Sequence, residues 1–170
     1  MLKVDLGRLD REGTVPVEAQ VPADDALWQD SGIEWASPVD VRLRASYAGT
    51  GQIVVRGEVS GTLKQECRRC LEPVEGEFDE EVTLVFDADA TDEESDEGEA
   101  FPFDPSSGSL DLSQAVRGEV ILAVNPYVVC DPECKGLCPK CGANLNEEGC
   151  DCVVVESDPR WGALRALKDR

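Results

Sequence analysis

Apolar and polar residues alternate most regularly between residues 38 and 86. Val39, Val41, Leu43 and Ala45 fall on one side of an extended chain, and Asp40, Arg42, Arg44 and Ser46 fall on the other. Ala48-Gly49-Thr50-Gly51 supplies a turn, after which Ile53, Val55, Val59 and Leu63 resume the alternation. Gly57 and Gly61 occupy that same apolar face, which predicts strong curvature or close packing there. Beyond Cys67–Cys70 the chain turns at Pro73, and Val82, Leu84 and Phe86 read as a further strand. Upstream, Val15, Val17, Ala19 and Val21 alternate with Pro16, Glu18 and Gln20, the pattern of a strand at the rim of a sheet. Antiparallel strands joined by short turns follow from these patterns.

The helical signals are fewer. Asp24-Asp25-Ala26-Leu27-Trp28 predicts a short helix with acids where the helix dipole favours them. A longer helix is expected from about Leu110 to Val124, with Asp111 or Ser109 as cap and Gln114 placed as in a capping box. Its apolar side is Leu112, Ala115, Val116, Val120, Ala123 and Val124, and Asn125-Pro126 stops it. Asp158-Pro159-Arg160-Trp161 reads as an N-cap followed by Pro at the first helical position, with Trp161, Leu164 and Leu167 as a stripe. The fold class expected is α+β: a curved antiparallel β-sheet with a few helices and a cysteine-rich, zinc-ribbon-like C-terminal segment. The expected division is a sheet-plus-helix domain over 1–129 and a cysteine-rich zinc-binding tail with a terminal helix over 130–170. Within the first, residues 87–108 read as an acidic flexible loop, because Asp87 through Glu99 holds eight carboxylates and no Lys or Arg.

Charge narrows the function. Sixteen basic residues against thirty-six acidic ones give a net charge of −20. Broad binding to naked nucleic acid depends on neutralising phosphates, so this balance argues against it and fits a basic protein partner. A local basic patch is compatible with the charge, and Lys64, Arg68, Arg69, Arg42, Arg44 and Arg56 are the residues that would build one. No apolar run approaches the ~18 residues that span a membrane. The start Met1-Leu2-Lys3-Val4-Asp5 lacks the basic and apolar stretches of an export signal, so the expected compartment is the cytoplasm.

Eight cysteines and no histidine decide the candidate chemistry. In a reducing compartment, closely spaced cysteines point to metal ligation, and without histidine a zinc site must be built of thiolates. The absence of histidine also removes Ser-His-Asp and Cys-His catalysis. Cys67-Arg68-Arg69-Cys70 can chelate a metal, since the sulfurs of a C-x-x-C turn converge; a redox dithiol activated by the arginines, or a bare structural pair, are the alternatives. Cys138-Pro139-Lys140-Cys141-Gly142 has the form of a zinc knuckle, and Asn144-Leu145-Asn146 then Cys150-Asp151-Cys152 return a second pair. The preferred partition is Cys138, Cys141, Cys150 and Cys152 in one site, with Cys67, Cys70, Cys130 and Cys134 in another that ties the sheet to the C-terminal segment. One zinc with four free thiols is the alternative. A closed four-thiolate site leaves no position for a substrate, so the cysteines are a weak signal of catalysis, and no small-molecule substrate is expected.

Leu63-Lys64-Gln65-Glu66-Cys67-Arg68-Arg69-Cys70-Leu71, following Val55-Arg56-Gly57-Glu58-Val59-Ser60-Gly61, resembles the hallmark of the bacterial YceD family of large ribosomal RNA subunit accumulation proteins. Cys134 through Asn146, then Cys150-Asp151-Cys152 and Asp158-Pro159-Arg160-Trp161, is similar to the cysteine-rich tail that many members carry. The resemblance implies a non-enzymatic ribosome biogenesis factor supporting synthesis, processing or accumulation of 23S ribosomal RNA. A ribosomal protein or large-subunit assembly factor is the expected partner, with Lys64, Arg68 and Arg69 as candidate local contacts to ribosomal RNA. A zinc-ribbon nucleic-acid binder and a thiol oxidoreductase using Cys67 and Cys70 are the alternatives.

Overall fold

The structure is a computed structural model that describes residues 2–49, 51–90, 100–147 and 149–152. The terminal helix expected around 158–167 lies outside the described residues, as does most of the acidic run. The chain divides into two compact units: Met1–Gln65 with Pro73–Pro126, and Glu66–Glu72 with Tyr127–Arg170.

The first unit is mostly strands, with two helices. In chain order the elements are β1 (Lys3–Asp5), α1 (Leu6–Glu12), β2 (Thr14–Val21), a 3-10 turn (Ala26–Trp28), β3 (Glu34–Trp35), β4 (Val39–Ala48), β5 (Gln52–Glu66) and β6 (Pro73–Asp87). After these come β7 (Phe101–Pro102), a second 3-10 turn (Pro105–Ser107), β8 (Ser109–Asp111) and α2 (Ser113–Ala123). The main sheet is open, in the order β2-β4-β5-β6-β7 with β3 also on β5, while β1 and β8 form a separate pair. The β2–β4, β3–β5 and β4–β5 pairings are antiparallel, and the two-residue β6–β7 pairing is parallel. Among the described residues no helix is long and apolar enough to cross a membrane.

One face of the sheet is dry, which is why the alternation was readable. Val39, Val41, Leu43, Ala45, Ile53, Val55, Val59 and Leu63 are all buried, together with Leu84 and Phe86 of β6 and Ala115, Val116 and Val120 of α2. Gly57 sits opposite Leu43, and a Cβ there would lie 2.0 Å from the Arg42 carbonyl oxygen. At Gly61 a Cβ would lie 2.9 Å from the Trp35 ring, so this glycine makes room for an aromatic cluster in which Trp35 packs on Trp28 and edge-on to Phe78. Close packing is therefore the role of both glycines. Strand β2 lies at the rim, as its Pro16 requires.

Three local expectations are corrected. The helix at 24–28 is a single 3-10 turn, because the Ser31 N–H and hydroxyl both return to the Trp28 carbonyl and end it. The long helix begins at Ser113, since 109–111 pairs with β1 as β8; Leu112 is the N-cap and Asp111 Oδ1 accepts from Ser113 N at 2.9 Å. Residues 100–108 are built structure: Phe101 packs on Phe86 with centroids 5.5 Å apart, and Asp104 caps the 105–107 turn. Helix α1 was not foreseen. Asp5 caps it by accepting from Arg8 N at 2.6 Å, Leu6 and Leu9 are buried, and Gly13 ends it at φ 72°.

Candidate metal centres

All eight cysteines belong to the second unit, and all are free thiols. They gather in two quartets, Cys67 with Cys70, Cys130 and Cys134, and Cys138 with Cys141, Cys150 and Cys152; the sulfurs within each lie within 4.8 Å of one another. These are the two groups into which the spacing sorted them. Because Glu66–Glu72 belongs to the same unit as Tyr127 onward, the first quartet closes inside the cysteine-rich unit.

Each quartet starts from the same turn. In Cys67–Cys70 the Leu71 N–H donates to the Cys67 carbonyl at 2.8 Å, and the Cys67 N–H donates to the Glu72 carbonyl at 2.8 Å. In Cys138–Cys141 the Gly142 N–H donates to the Cys138 carbonyl at 2.9 Å, and the Cys138 N–H donates to the Ala143 carbonyl at 2.8 Å. The residue after the second cysteine takes a left-handed conformation in both, φ 62° at Leu71 and φ 74° at Gly142. Inside the turn a backbone N–H faces the first sulfur: Arg69 N donates to Cys67 Sγ at 3.4 Å.

The first quartet is completed by the Cys130-Asp131-Pro132-Glu133-Cys134 loop, in which Asp131 accepts from the N–H groups of Glu133 and Cys134. Cys67 Sγ lies 3.8 Å from Cys134 Sγ, and Cys70 Sγ lies 3.5 Å from Cys130 Sγ. Cys67, Cys70 and Cys134 are buried and Cys130 is exposed. Cys70, Cys130 and Cys134 line a hollow with Glu72, Asp131, Glu133 and Glu147, carboxylates that favour a cation over an anion there. In the second quartet Cys138 is buried, Cys141 exposed, and Cys150 and Cys152 lie between.

Proton affinity within each quartet is split. Burial pushes the Cys67 thiol up, but backbone N–H groups of Cys130, Cys70 and Arg69 outweigh it and hold the group down at about 6. Hydrogen bonds with the Cys70, Cys134 and Cys67 thiols push Cys130 up to about 12. In the second quartet the backbone N–H groups of Cys141 and Lys140 bring Cys138 down to about 6, while its neighbour Cys141 pushes Cys152 up to about 12. Four adjacent thiols cannot all ionise on their own; a bound dication removes that obstacle.

Of the basic residues singled out in the sequence, Arg69 has a defined structural task. Its guanidinium donates to the carbonyls of Pro132 at 3.0 Å and Cys134 at 2.9 Å, holding the first knuckle to the 130–134 loop. Arg68 places its guanidinium carbon 4.4 Å from the centre of the Tyr127 ring, and its N–H donates to the Val128 carbonyl. Lys64 is exposed on β5 opposite Glu34, in the first unit. Asn146 is a supporting residue that sequence reasoning missed: its Oδ1 accepts from Lys135 N at 2.8 Å and its Nδ2 donates to Cys134 Sγ at 3.3 Å. Only its place in a turn before the last cysteine pair was visible; the sulfur it serves was not. Orienting contacts of this kind are what metal-ligating thiolates recruit.

An open, mostly antiparallel sheet and a separate thiol-rich unit with two four-cysteine clusters define a small protein with two candidate metal centres. The chain belongs to the family described as "Large ribosomal RNA subunit accumulation protein YceD", which matches residues 55–168. Among similar proteins, the Arabidopsis thaliana "Large ribosomal RNA subunit accumulation protein YCED homolog 1, chloroplastic" is 41% identical over 68 residues, covering 40% of this chain and 21% of that protein. An uncharacterized protein of Mycobacterium tuberculosis (strain ATCC 25618 / H37Rv) is 33% identical over 169 residues, covering 96% of this chain and 79% of its own. The Zea mays homolog 1 is 28% identical over 130 residues, 60% of this chain and 44% of that protein. The chain thus spans about a fifth of the Arabidopsis protein and under half of the maize one. No solved structure matches it.

Proposed function

We propose that this chain is a non-enzymatic, cytoplasmic ribosome biogenesis factor that supports synthesis, processing or accumulation of large-subunit 23S ribosomal RNA, with one structural Zn²⁺ in each cysteine quartet. The observation that carries the role is the family match over residues 55–168, which takes in the knuckle at Cys67–Cys70 and all six later cysteines. The reading is tested by depleting the protein from its native host and quantifying both ribosomal RNAs. A selective fall of the large-subunit RNA is expected; equal levels of both, or a fall of both together, defeat it.

The zinc reading rests on fit. With Zn–S near 2.3 Å, a regular tetrahedron has sulfur–sulfur edges of about 3.8 Å. The Cys67–Cys134 and Cys70–Cys130 separations of 3.8 and 3.5 Å agree with that edge. Bound zinc would neutralise the thiolates and cross-link the segments that carry them, contributing folding free energy directly. The chain's own residues do the rest: the two C-x-x-C turns present N–H groups to Cys67 and Cys138, Asn146 orients Cys134, and Arg69 clamps the loop. Four thiolates per site leave no open coordination position, which supports the non-enzymatic reading. A thiol oxidoreductase at Cys67 and Cys70 has less support, because both sulfurs are buried.

The partner proposed is a basic large-subunit ribosomal protein or assembly factor, matched by the chain's charge of −20. A limited direct contact with RNA is the second element of the reading, favoured by three arginines that the structure places on one face of the sheet.

A further inference from the structure

Arg42 and Arg44 lie two residues apart on β4, on the polar side of the sheet, and are ~7 Å apart along the strand. The register puts Arg56 of β5 directly opposite Arg44. All three side chains are exposed. A like-charged pair facing across an antiparallel ladder is destabilising. In a chain with thirty-six acidic residues, a carboxylate opposite Arg44 would have been the easier choice. Among the described residues, ion pairs within 4.0 Å form at Lys3–Asp111 and Arg8–Glu12, and none involves these arginines.

The groups around them grade from acidic to neutral. Arg42 has Glu18 opposite on β2 and Glu58 opposite on β5, and Asp40 two residues before it, which accepts from Gln20. Arg44 has Pro16 on one side and Arg56 on the other. A groove along Arg42, Arg44 and Arg56 also carries Glu58 of β5 and Glu81 and Thr83 of β6, whereas a second hollow beside Arg44 and Arg56 is lined by Ser46, Ala48 and Val54, with no carboxylate. The uncompensated charge is therefore centred on the Arg44–Arg56 pair.

We infer that Arg42, Arg44 and Arg56 form a binding face for the phosphate backbone of RNA, centred on the cross-strand Arg44–Arg56 pair. Each guanidinium presents a planar fork that fits a phosphate bidentately, and the repulsion between Arg44 and Arg56 is relieved when an anion sits between them. Two rows of donors, one on each strand, span more than one phosphate of a single strand. Serine and threonine hydroxyls at the margins, Ser46 and Thr83, are further phosphate donors. The face is small, so it supplies a local contact and leaves the main affinity to the protein partner. This inference rests on the proposed role at the ribosomal RNA and names the surface that would touch it.

The test uses the full, zinc-loaded chain and a transcribed fragment of large-subunit ribosomal RNA, with binding followed by fluorescence anisotropy over a salt series. Arg44→Gln/Arg56→Gln is expected to weaken binding about tenfold and to flatten the log–log salt slope by about 1.4, two phosphates at about 0.7 each. Arg8→Gln/Arg11→Gln on α1, with the same change in net charge, is expected to leave both unchanged. The first variant should melt at or above the parent temperature, because the like-charged pair is gone, so lost binding cannot be lost folding. An equal effect of the α1 variant, an unchanged slope, or capture of a polyglutamate peptide in preference to RNA overturns the inference. No binding of the fragment by the parent chain also overturns it while leaving the depletion phenotype to stand; binding through these arginines without that phenotype defeats the ribosomal role and not the face.

Discussion

Leu71 and Gly142 occupy the same place in two copies of one turn, and only one of them is the residue the turn prefers. At φ 62° the Leu71 Cβ crowds the backbone, a conformation costing roughly 1–2 kcal/mol. Its side chain is 57% exposed, so little packing is lost by removing it. Leu71→Gly is expected to gain about 0.5–1 kcal/mol once the greater freedom of an unfolded glycine is subtracted. Urea titration of the zinc-loaded chain, read at residues 66–72, would show a higher midpoint; a lower one would mean that the leucine side chain has a contact to lose. Gly57 makes the opposite case. A methyl there would meet the Arg42 carbonyl oxygen at 2.0 Å, backbone against backbone on two paired strands. Gly57→Ala is expected to cost about 3 kcal/mol or to prevent folding; a variant with an unchanged denaturation midpoint would disprove the close approach. Gly57 is visible in the sequence because a glycine in an apolar alternation has few explanations, whereas a leucine in a left-handed turn carries no mark of it.

Among the elements, those with one dry face were legible and those held by pairing alone were not. β4 and β5 announce themselves because Val39, Val41, Leu43, Ala45, Ile53, Val55, Val59 and Leu63 are buried at alternating positions, and their pairing runs from Ala48 opposite Gln52 to Asp40 opposite Ser60. The quartets were legible for a similar reason: C-x-x-C forces two sulfurs together, and arithmetic assigns the remainder. Strands β1, β7 and β8 are two or three residues long, too short for a period, and α1 buries only Leu6 and Leu9. Helix α2 starts later than its sequence suggests because Asp111 serves the first turn from one residue before the N-cap Leu112. Its carboxylate accepts from Ser113 N and pairs with Lys3 at 3.6 Å. Burial pushes this group up, yet the Ser113 hydrogen bonds and the Lys3 charge hold it below the ordinary carboxylate value. A folded-state affinity for protons lower than the unfolded one gives stability that is full above the ordinary value and is lost as pH falls through the lowered one. Asp111→Asn keeps an acceptor and loses the charge, so it is expected to cost a few tenths to about 1 kcal/mol near neutrality. It should also lose less stability than the parent on acidification below about pH 4. Parallel acid titrations of the two proteins check this; identical acid limbs would remove Asp111 from the account.

At the scale of the whole molecule, two units with different sources of stability should come apart in the same experiment. The sheet unit has a continuous apolar core running from Leu2 to Val120, while the described part of the cysteine-rich unit buries little besides Cys67, Cys70, Cys134 and Cys138. A unit so poor in apolar burial depends on cross-links, and structural zinc contributes on the order of 10 kcal/mol in small modules. Elemental analysis should find two zincs per chain. Stripping them should release amide protection at residues 66–72 and 127–152 and leave that of β4, β5 and α2 in place. Unchanged exchange at 66–72 and 127–152 would mean that the quartets are not staples. The charge of the molecule leads to the final expectation. A chain at −20 approaching bare ribosomal RNA meets repulsion at every separation inside a Debye length of about 8 Å, and three arginines offset it only locally. A basic ribosomal protein meets attraction over the same range. The segment Asp87–Glu99, with eight carboxylates and no base, offers such a protein a charge density comparable to the RNA it later binds. Binding to a basic large-subunit ribosomal protein is therefore expected to be stronger than binding to RNA, to weaken steeply with salt, and to fall several-fold when the carboxylates of Asp87–Glu99 are changed to amides. Calorimetry at two ionic strengths separates the cases: a salt-insensitive affinity, or one untouched by the amide substitutions, would show that the acidic segment takes no part in recognising the partner.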